Sequence, residues 1–340
     1  MPRSRRARIA LVTLALLVAA FAVPLFHGSA RSLPREPFTP PAGAAWASWD
    51  DVLARAPRVQ LVSLDTGAVH VSRTSMLGAS HAGTASYVEE PSPLRVYAHL
   101  VRHPTAGDVL VDSGLDATFR TDRYGNLARP ARWIVDVLMD APYSQDEGED
   151  VMAQLARLDA HPHTVLFTHL HMDHTAGIPA LSAAFPGLRL VTGPEEADDW
   201  VGVFGFGHVH DGQRWHELDF TQAIDLPPLG PSIDVFGDGS FWAVSTPGHS
   251  RGHVSFVVLD EDGPVLLTGD ATHFRWAFAH DVGPQGTDEA LAQESLDRLR
   301  AFAAAYPEVR VHTGHEAIDP GRTAQAALLE SPQSTATSSR

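Results

Sequence analysis

Four side chains that bind metals or transfer protons lie within one short stretch, residues 167–177, which reads FTHLHMDHTAG. They are His169, His171, Asp173 and His174. Because side chains two positions apart in extended backbone face the same way, His169 and His171 can contact one metal ion. The carboxylate and imidazole that follow, as the chain turns toward a helical pattern, can reach a neighbouring ion. The spacing therefore predicts a metal site on a loop between a strand and a helix.

Three later segments carry further ligand candidates, which are needed because one loop cannot complete two metal sites. Each is an apolar run typical of a buried strand, followed by a turn that contains glycine. The candidates in these turns are His249, Asp270 and His315. One such residue alone is more often a cap or a core residue. Three of them together with the first motif indicate a dinuclear centre.

The four motifs, with VDSG at residues 111–114, resemble those of the metallo-β-lactamase fold superfamily of hydrolases over about residues 55–320. The resemblance implies an α+β fold, a four-layer αββα sandwich with the site at one edge of the two sheets. It implies that one metal is held by His169, His171 and His249. It implies that the second metal is held by Asp173, His174 and His315, that Asp270 bridges the two, and that Asp112 supports the ligands.

A site of this kind supports hydrolysis without a nucleophilic side chain. Two divalent ions about 3.5–4 Å apart lower the pKa of a shared water toward 7 and polarise a carbonyl or phosphoryl oxygen. Five imidazoles and two carboxylates suit two Zn²⁺ ions, and other divalent transition metals can occupy such a site. We therefore expect a hydrolase that uses a metal-bound hydroxide, with Asp173 and Asp270 as catalytic residues.

The spacing between the motifs is similar to that of the N-acyl homoserine lactonase branch, which favours a lactone or ester substrate of the acyl homoserine lactone type. One position departs from that branch, because His273 stands where its members commonly carry tyrosine, three residues after Asp270. We expect His273 to donate a hydrogen bond to the substrate, or else to be an additional metal ligand. Organophosphate-hydrolysing relatives can carry histidine there, so phosphotriester hydrolysis is an alternative. A persulfide dioxygenase with one iron shares the first motif and is a further alternative.

The amino-acid composition excludes some other classes of function and disfavours others. The formal net charge of -16 disfavours nucleic acid as a partner, so a small molecule is the expected substrate. The absence of cysteine excludes disulfides, thiolate nucleophiles and iron–sulfur ligation. Together with Asp270 it also disfavours true β-lactamases, which typically lack that aspartate or use a cysteine ligand.

The elements that must position these residues follow from periodicity. Eight short strands are predicted, at 59–64, 94–102, 108–112, 164–168, 188–192, 241–246, 254–259 and 264–268, with a further short one before His315. Helices are predicted at 149–159, 177–185 and 288–305. The last has Thr287 as its expected N-cap and Leu291, Leu296, Leu299 and Phe302 on one face. The pattern indicates two packed sheets with helices outside.

The chain divides into four expected segments. Residues 1–30 combine a basic start, an apolar run and small residues, as in a signal peptide or an N-terminal anchor. Residues 31–45 are proline-rich and are expected to be a linker, 46–330 a single metallo-hydrolase domain, and 331–340 a disordered tail. We expect export to the periplasm or the exterior, with residues 9–26 able to tether the protein to a membrane.

Several aromatic residues and histidines carry weaker expectations. An apolar pocket for an acyl chain, or ordinary core packing, is expected of Trp200, Phe204, Phe206 and Trp215. A supporting or structural role is expected of His208, His210 and His253. A lid over the substrate is expected of Trp276, Phe278 and His280.

Overall fold

The computed structural model describes residues 33–89, 92–128, 132, 141–198, 207–209 and 212–318. Within these residues, two β-sheets pack face to face and helices cover their outer sides. The α+β sandwich of four layers that the sequence predicts is confirmed.

The first sheet has eight strands. Their bounds are β1 Arg35–Phe38, β2 Gln60–Val69, β3 Leu94–His103, β4 Gly107–Val111, β5 Tyr143–Ser144, β6 Thr164–Leu166, β7 Arg189–Thr192 and β8 Trp215–Leu218. They lie in the order β1-β8-β7-β6-β4-β3-β2-β5. The pairs β1-β8, β8-β7, β7-β6 and β6-β4 are parallel. The pairs β4-β3, β3-β2 and β2-β5 are antiparallel.

The second sheet has six strands. Their bounds are β9 Ile224–Leu226, β10 Gly230–Asp234, β11 Phe241–Ser245, β12 Val254–Asp260, β13 Gly263–Leu267 and β14 Arg310–His312. They lie in the order β14-β13-β12-β11-β10-β9, antiparallel except for the parallel pair of β13 and β14.

Six α-helices are described. They are α1 Trp49–Arg55, α2 Val151–Arg157, α3 Met172–Thr175, α4 Ile178–Ala184, α5 Arg275–His280 and α6 Glu289–Ala305. The N-cap residues of α1, α2 and α6 are Ser48, Asp150 and Asp288. The side chain of each accepts a hydrogen bond from a backbone N–H in the first turn of its helix. The N-cap of α6 is therefore Asp288, one residue later than the expected Thr287.

Period-two alternation in the strands creates the three apolar layers. Along β4, Val109 and Val111 face the other sheet, whereas Leu110 between them faces the helices on the outer side. Along β11, Phe241 likewise points between the sheets and Trp242 points outward. Strands buried on both faces show no polar alternation, which is why they read as continuous apolar runs.

The long helix α6 packs on the outer face of the second sheet. Its residues Leu296, Leu299 and Phe302 are fully buried against that sheet and α1. The prediction that Leu291 shares this face is wrong, because Leu291 lies in the first turn and is 36% exposed. The buried face of the helix begins at Ala292, one residue after Leu291.

The segment expected to be a linker contains structure. Arg35–Phe38, within residues 31–45, forms β1 and pairs in parallel with β8 at the edge of the first sheet. Trp215 in β8 is fully buried in the core and is not a pocket residue. The expectations for Trp200, Phe204, Phe206 and His210 lie outside the described residues, as do those for 1–30, including 9–26, and for the tail. No helix among the described residues is long and apolar enough to cross a membrane.

Candidate metal centre

All seven predicted ligands lie on segments that leave the sheets at one common edge. The loop after β6 carries His169 and His171, and the short helix α3 that follows it carries Asp173 and His174. The segments after β11, β13 and β14 carry His249, Asp270 and His315. Since β4 and β6 are parallel, and β13 and β14 are parallel, the carboxyl ends of the strands in each pair lie together. Because the two sheets pack face to face, both pairs of strand ends meet at the same edge of the sandwich.

The seven side chains form two groups. In each group, ligand atoms from all members lie within 4.8 Å of one another. The first group consists of His169, His171, His249 and Asp270, and the second of Asp173, His174 and His315. These are the sets that the family resemblance implies. Their role as ligands stays a prediction.

Asp270 lies between the two groups. Its Oδ2 lies 3.4 Å from His249 Nε2 and 3.7 Å from His169 Nε2 in the first group, and also 3.2 Å from His315 Nε2 in the second. Its Oδ1 faces the second group, 3.1 Å from His315 Nε2 and 3.6 Å from His174 Nε2. One carboxylate thus presents an oxygen to each group, which is the geometry that a bridging ligand requires.

Hydrogen bonds on the far side of the rings fix how the imidazoles are presented. Nδ1 of His249 donates to the carbonyl of Gln285, and Nδ1 of His315 donates to the carbonyl of Arg95, each at 2.8 Å. Nδ1 of His174 lies 2.8 Å from Asp112 Oδ2. With Nδ1 of each ring held from outside, Nε2 points at the centre, where it can bind a metal once any proton on it is released.

The inward atoms fit a metal because protein groups leave them unsatisfied. Among the described residues, Nε2 of His169, Nε2 of His174 and Oδ1 of Asp270 are buried and have no hydrogen-bond partner. Buried polar atoms are nearly always paired, and an unpaired one costs about 1–3 kcal/mol. Several orphaned lone pairs in one place, from imidazole and carboxylate, match the ligand set of divalent transition metals.

Burial and nearby carboxylates shift the pKa values of these histidines in opposite directions. Burial lowers the pKa of His169 and of His249 well below the ordinary value, which keeps both rings neutral. Burial also opposes charge on His174, but the carboxylates of Asp112, Asp173 and Asp270 outweigh it and raise its pKa well above the ordinary value. For Asp270, burial acts to raise the pKa, yet nearby imidazoles, led by that of His315, hold it well below its ordinary value. The bridging carboxylate is therefore anionic.

Asp112 supports the first motif from behind. Besides its contact with His174, it accepts hydrogen bonds from the backbone N–H of Thr168 at 2.8 Å and from the Thr168 hydroxyl at 2.9 Å. Its φ of 57° is in the left-handed region that non-glycine residues avoid. Such strain, held in place by the surrounding structure, is typical of functional sites.

Two glycines allow the ligand loops to come this close. A Cβ on Gly269, whose φ is +52°, would lie 2.8 Å from Thr168 Cβ and from His253 Nε2. A Cβ on Gly314 would lie 2.4 Å from Asp270 Oδ1. Each glycine directly precedes a predicted ligand, so a side chain at either position would displace the centre.

Glu196 is a supporting residue that the sequence analysis did not find. Its buried carboxylate accepts from the backbone N–H of Leu170 at 3.0 Å and from that of Gly252 at 2.9 Å. It thereby ties the loop of the first motif to the loop of His249. No motif marks this residue, because its partners are backbone groups from distant parts of the chain.

Two histidines with weaker expectations also have structural roles. Nε2 of His253 accepts the backbone N–H of Asp270 at 3.0 Å, which positions the bridging residue. Burial lowers its pKa to about 3, so the ring is neutral and able to accept. His208 bridges the Thr175 hydroxyl, at 3.1 Å, and Asn126 Oδ1, at 2.8 Å, beside the first motif.

A cavity of about 550 Å³ opens onto the centre. Its floor includes predicted ligands, and its walls are largely apolar, from Val69, Val71, Met76, Leu94 and Met172, with Tyr143 beside them. Among the described residues that line it, none is lysine or arginine. A cavity of this size and polarity suits a neutral small molecule.

His273 lines the same cavity, 3.2 Å by its Nε2 from Asp270 Oδ2. The three residues expected to form a lid do not line it within the described part of the chain. Phe278 is fully buried in the core beside α6. Trp276 stacks on His280, with ring centroids 4.4 Å apart, and packs against Tyr87.

Comparison with known proteins agrees with this geometry. The family model of the metallo-beta-lactamase superfamily matches residues 91–315. N-acyl homoserine lactonase AttM of Azorhizobium caulinodans is 30% identical over 249 residues, which are 69% of this chain and 85% of that protein. The solved structure of a quorum-quenching N-acyl homoserine lactone hydrolase superposes with a TM-score of 0.57 at 20% identity, covering 76% of this chain and 93% of the other. That of AidC, a dizinc quorum-quenching lactonase, gives 0.52 at 14%, covering 77% and 90%.

The family match spans most of the chain, and the two ligand groups lie where a metal-dependent hydrolase needs them. The chain belongs to the metallo-β-lactamase superfamily and is a metal-dependent hydrolase whose His/Asp cluster fits a pair of divalent ions.

Proposed function

We propose that this hydrolase opens the ring of a lactone, with an N-acyl homoserine lactone as the best candidate substrate. The observation that carries the proposal is the position of both ligand groups at the floor of an apolar cavity without cationic residues among those described. An acyl chain can lie along the wall formed by Val69, Val71 and Met76 while the ring reaches the floor. The name of the relative AttM supports the same substrate class.

The chemistry balances without a covalent enzyme intermediate. Water adds to the lactone carbonyl carbon, the bond to the ring oxygen breaks, and the products are a carboxylate and an alcohol. When bound, two divalent ions supply Lewis-acid chemistry and lower the pKa of water. We assign zinc to this role because imidazole and carboxylate ligands suit it.

The protein's own residues orient the substrate and move the proton. Asp270 holds the two ligand groups in register through its two oxygens. Asp173 lines the cavity and is placed to take the proton that water loses and pass it to the ring oxygen. The apolar walls lower the local dielectric constant, which strengthens each electrostatic contact at the floor.

The test is a substrate panel assayed with protein reloaded with Zn²⁺ and with protein stripped by a chelator. The panel contains lactones with short and long acyl chains, phosphotriesters, thioesters and β-lactams. We expect lactones to give the highest kcat/KM, long acyl chains to lower KM, and the stripped protein to be inactive. Equal activity of stripped protein, or no turnover of any lactone, would contradict the proposal.

One observation favours a second candidate, phosphotriester hydrolysis. His273 lies on the cavity wall in place of the tyrosine that is common among the lactonases, and it is the position at which organophosphate-hydrolysing relatives can carry histidine. Faster turnover of phosphotriesters than of lactones in the same panel would establish this alternative.

We further propose that residues 1–30 direct export to the periplasm or the exterior, where the apolar run can also hold the protein at a membrane. The support is the order of basic, apolar and small residues. N-terminal sequencing of the exported protein is the test, with Arg31 the expected first residue after cleavage. Intact Met1 on protein from the cytoplasmic fraction would contradict export.

A further inference from the structure

Tyr143 lies at the cavity on a strand that belongs to none of the ligand loops. It lies in β5 and pairs with Val69 of β2, its side chain is buried, and its ring packs edge-on against Phe119 with centroids 5.2 Å apart. It lines the cavity together with Asp173 and Asp270. A buried ring held on one side by an aromatic neighbour has a fixed orientation, so the place of its hydroxyl is also fixed.

The hydroxyl of Tyr143 has no protein hydrogen-bond partner among the residues that the structure describes. Because Tyr143 lines the cavity and the described protein groups leave its hydroxyl unpaired, the hydroxyl is available to a molecule that enters. Burial raises its pKa well above the ordinary value. The phenol therefore stays protonated and can donate.

His273 lies close to two of the predicted ligands, Asp270 and His315. Its Nε2 is only 3.2 Å from Asp270 Oδ2, close to the 3.1 Å that separates His315 Nε2 from Asp270 Oδ1. Its ring also lies nearly parallel to that of His315, at 13° and 5.7 Å between centroids. The ring thus packs among the predicted ligands, whereas the Tyr143 hydroxyl is committed to no partner among the described residues.

We propose that Tyr143 is a further catalytic residue, whose hydroxyl donates a hydrogen bond to the substrate oxygen on which negative charge develops. The proposal rests on the proposed function, since ester, lactone and phosphotriester substrates all develop charge on an oxygen. A preorganised donor aimed at the developing charge stabilises that charge more than it stabilises the neutral substrate. Tyr143 lies on β5 and His273 on the segment after β13, so the two side chains would contact the substrate independently.

The experiment compares Tyr143→Phe with a matched control, Tyr124→Phe, on the panel substrate that wild type turns over fastest. Tyr124 is buried in the same hydrophobic cluster but does not line the cavity among the described residues. We expect Tyr143→Phe to lower kcat by about 10²-fold, as for loss of one oxyanion donor, with KM and metal content near the wild-type values. Tyr124→Phe should keep kcat. Equal kcat in the two variants would overturn the proposal.

A readout without turnover separates this proposal from the proposed function. The infrared carbonyl stretch of bound ¹³C-labelled cyclopentanone, a ring ketone that cannot be hydrolysed, reports hydrogen bonding to its oxygen. We expect the stretch to rise in frequency in Tyr143→Phe and not in Tyr124→Phe. A panel that yields only phosphotriester turnover would reject the lactone function while this shift still supports Tyr143. An unchanged stretch, or no binding of the ketone to wild type, would count against Tyr143.

Discussion

Asp270 is the residue on which both ligand groups depend, because its carboxylate lies against imidazoles of both groups. Asp270→Ala removes the bridge and leaves uncompensated imidazoles around it. We expect this variant to lose activity and to retain about one metal per chain instead of two. Elemental analysis of purified protein is the measurement.

The matched control is Asp262→Ala, which removes a carboxylate from an exposed turn between β12 and β13. It should keep two metals and full activity. A fully active Asp270→Ala protein, or an active wild type without bound metal, would contradict a dinuclear centre.

His273 presents Nε2 as a buried atom without a hydrogen-bond partner among the described residues, on the wall of the cavity. We expect His273→Ala to lower kcat by about 10²–10⁴-fold with metal content unchanged, as for a lost acid–base or donor group. Kinetics and elemental analysis on one preparation are the measurements. Unchanged kcat would make His273 structural, and loss of metal would make it a ligand.

Residues within a motif could be predicted from the sequence because backbone geometry fixes their relation. His169 and His171 face alike because they are two apart in extended chain. Tyr143 and Glu196 could not be predicted in this way, since their roles depend on contacts between segments far apart in sequence.

At the scale of the element, Glu196 joins two ligand loops that arise from different sheets. Glu196→Gln replaces one accepting oxygen with an NH₂ group, which cannot accept a backbone N–H. We expect a loss of about 1–3 kcal/mol in the free energy of unfolding, because a buried N–H loses its partner. Chemical denaturation is the measurement, and weaker metal binding should accompany the loss.

The neighbouring residue provides the control for this prediction. Glu195 is exposed, so Glu195→Gln makes the same chemical change one position away without touching either loop. It should leave stability near that of wild type. Equal stability of the two variants would show that Glu196 does not join the loops.

The strands that could be predicted are those buried on both faces. Residues 254–259 were expected as a strand from their apolar run, and β12 spans Val254–Asp260. The short strands β9 and β10 were not expected, because their few residues include proline, glycine and aspartate, and pairing with β11 is what holds them. Strand β1 was also not expected, because its segment is rich in proline and because its pairing with β8 is a long-range contact.

At the scale of the whole molecule, stability should depend on pH through buried neutral histidines. Burial lowers the pKa of His208 from its ordinary 6.5 to about 4. As the pH falls, His208 is therefore protonated in the unfolded chain at a higher pH than in the folded protein. The contribution of His208 to stability is complete above pH 6.5 and is lost as the pH falls from there through about 4, to a total of about 3 kcal/mol.

The prediction is tested by denaturation of wild type and His208→Gln between pH 4 and pH 7. The difference between the two unfolding free energies should shrink as the pH falls. His161→Gln, which changes an exposed histidine, should run parallel to wild type. A difference that is constant with pH would contradict the assignment.

The pairing of β1 with β8 also sets an order in time. Ribosomes make Arg35–Phe38 early, but its partner Trp215–Leu218 only after the rest of the first sheet has been made. The strand that closes this edge is thus among the first to be synthesised and must wait for its position. Until then the flank of the sheet is open to other chains, which is when a partly folded molecule is most prone to aggregate.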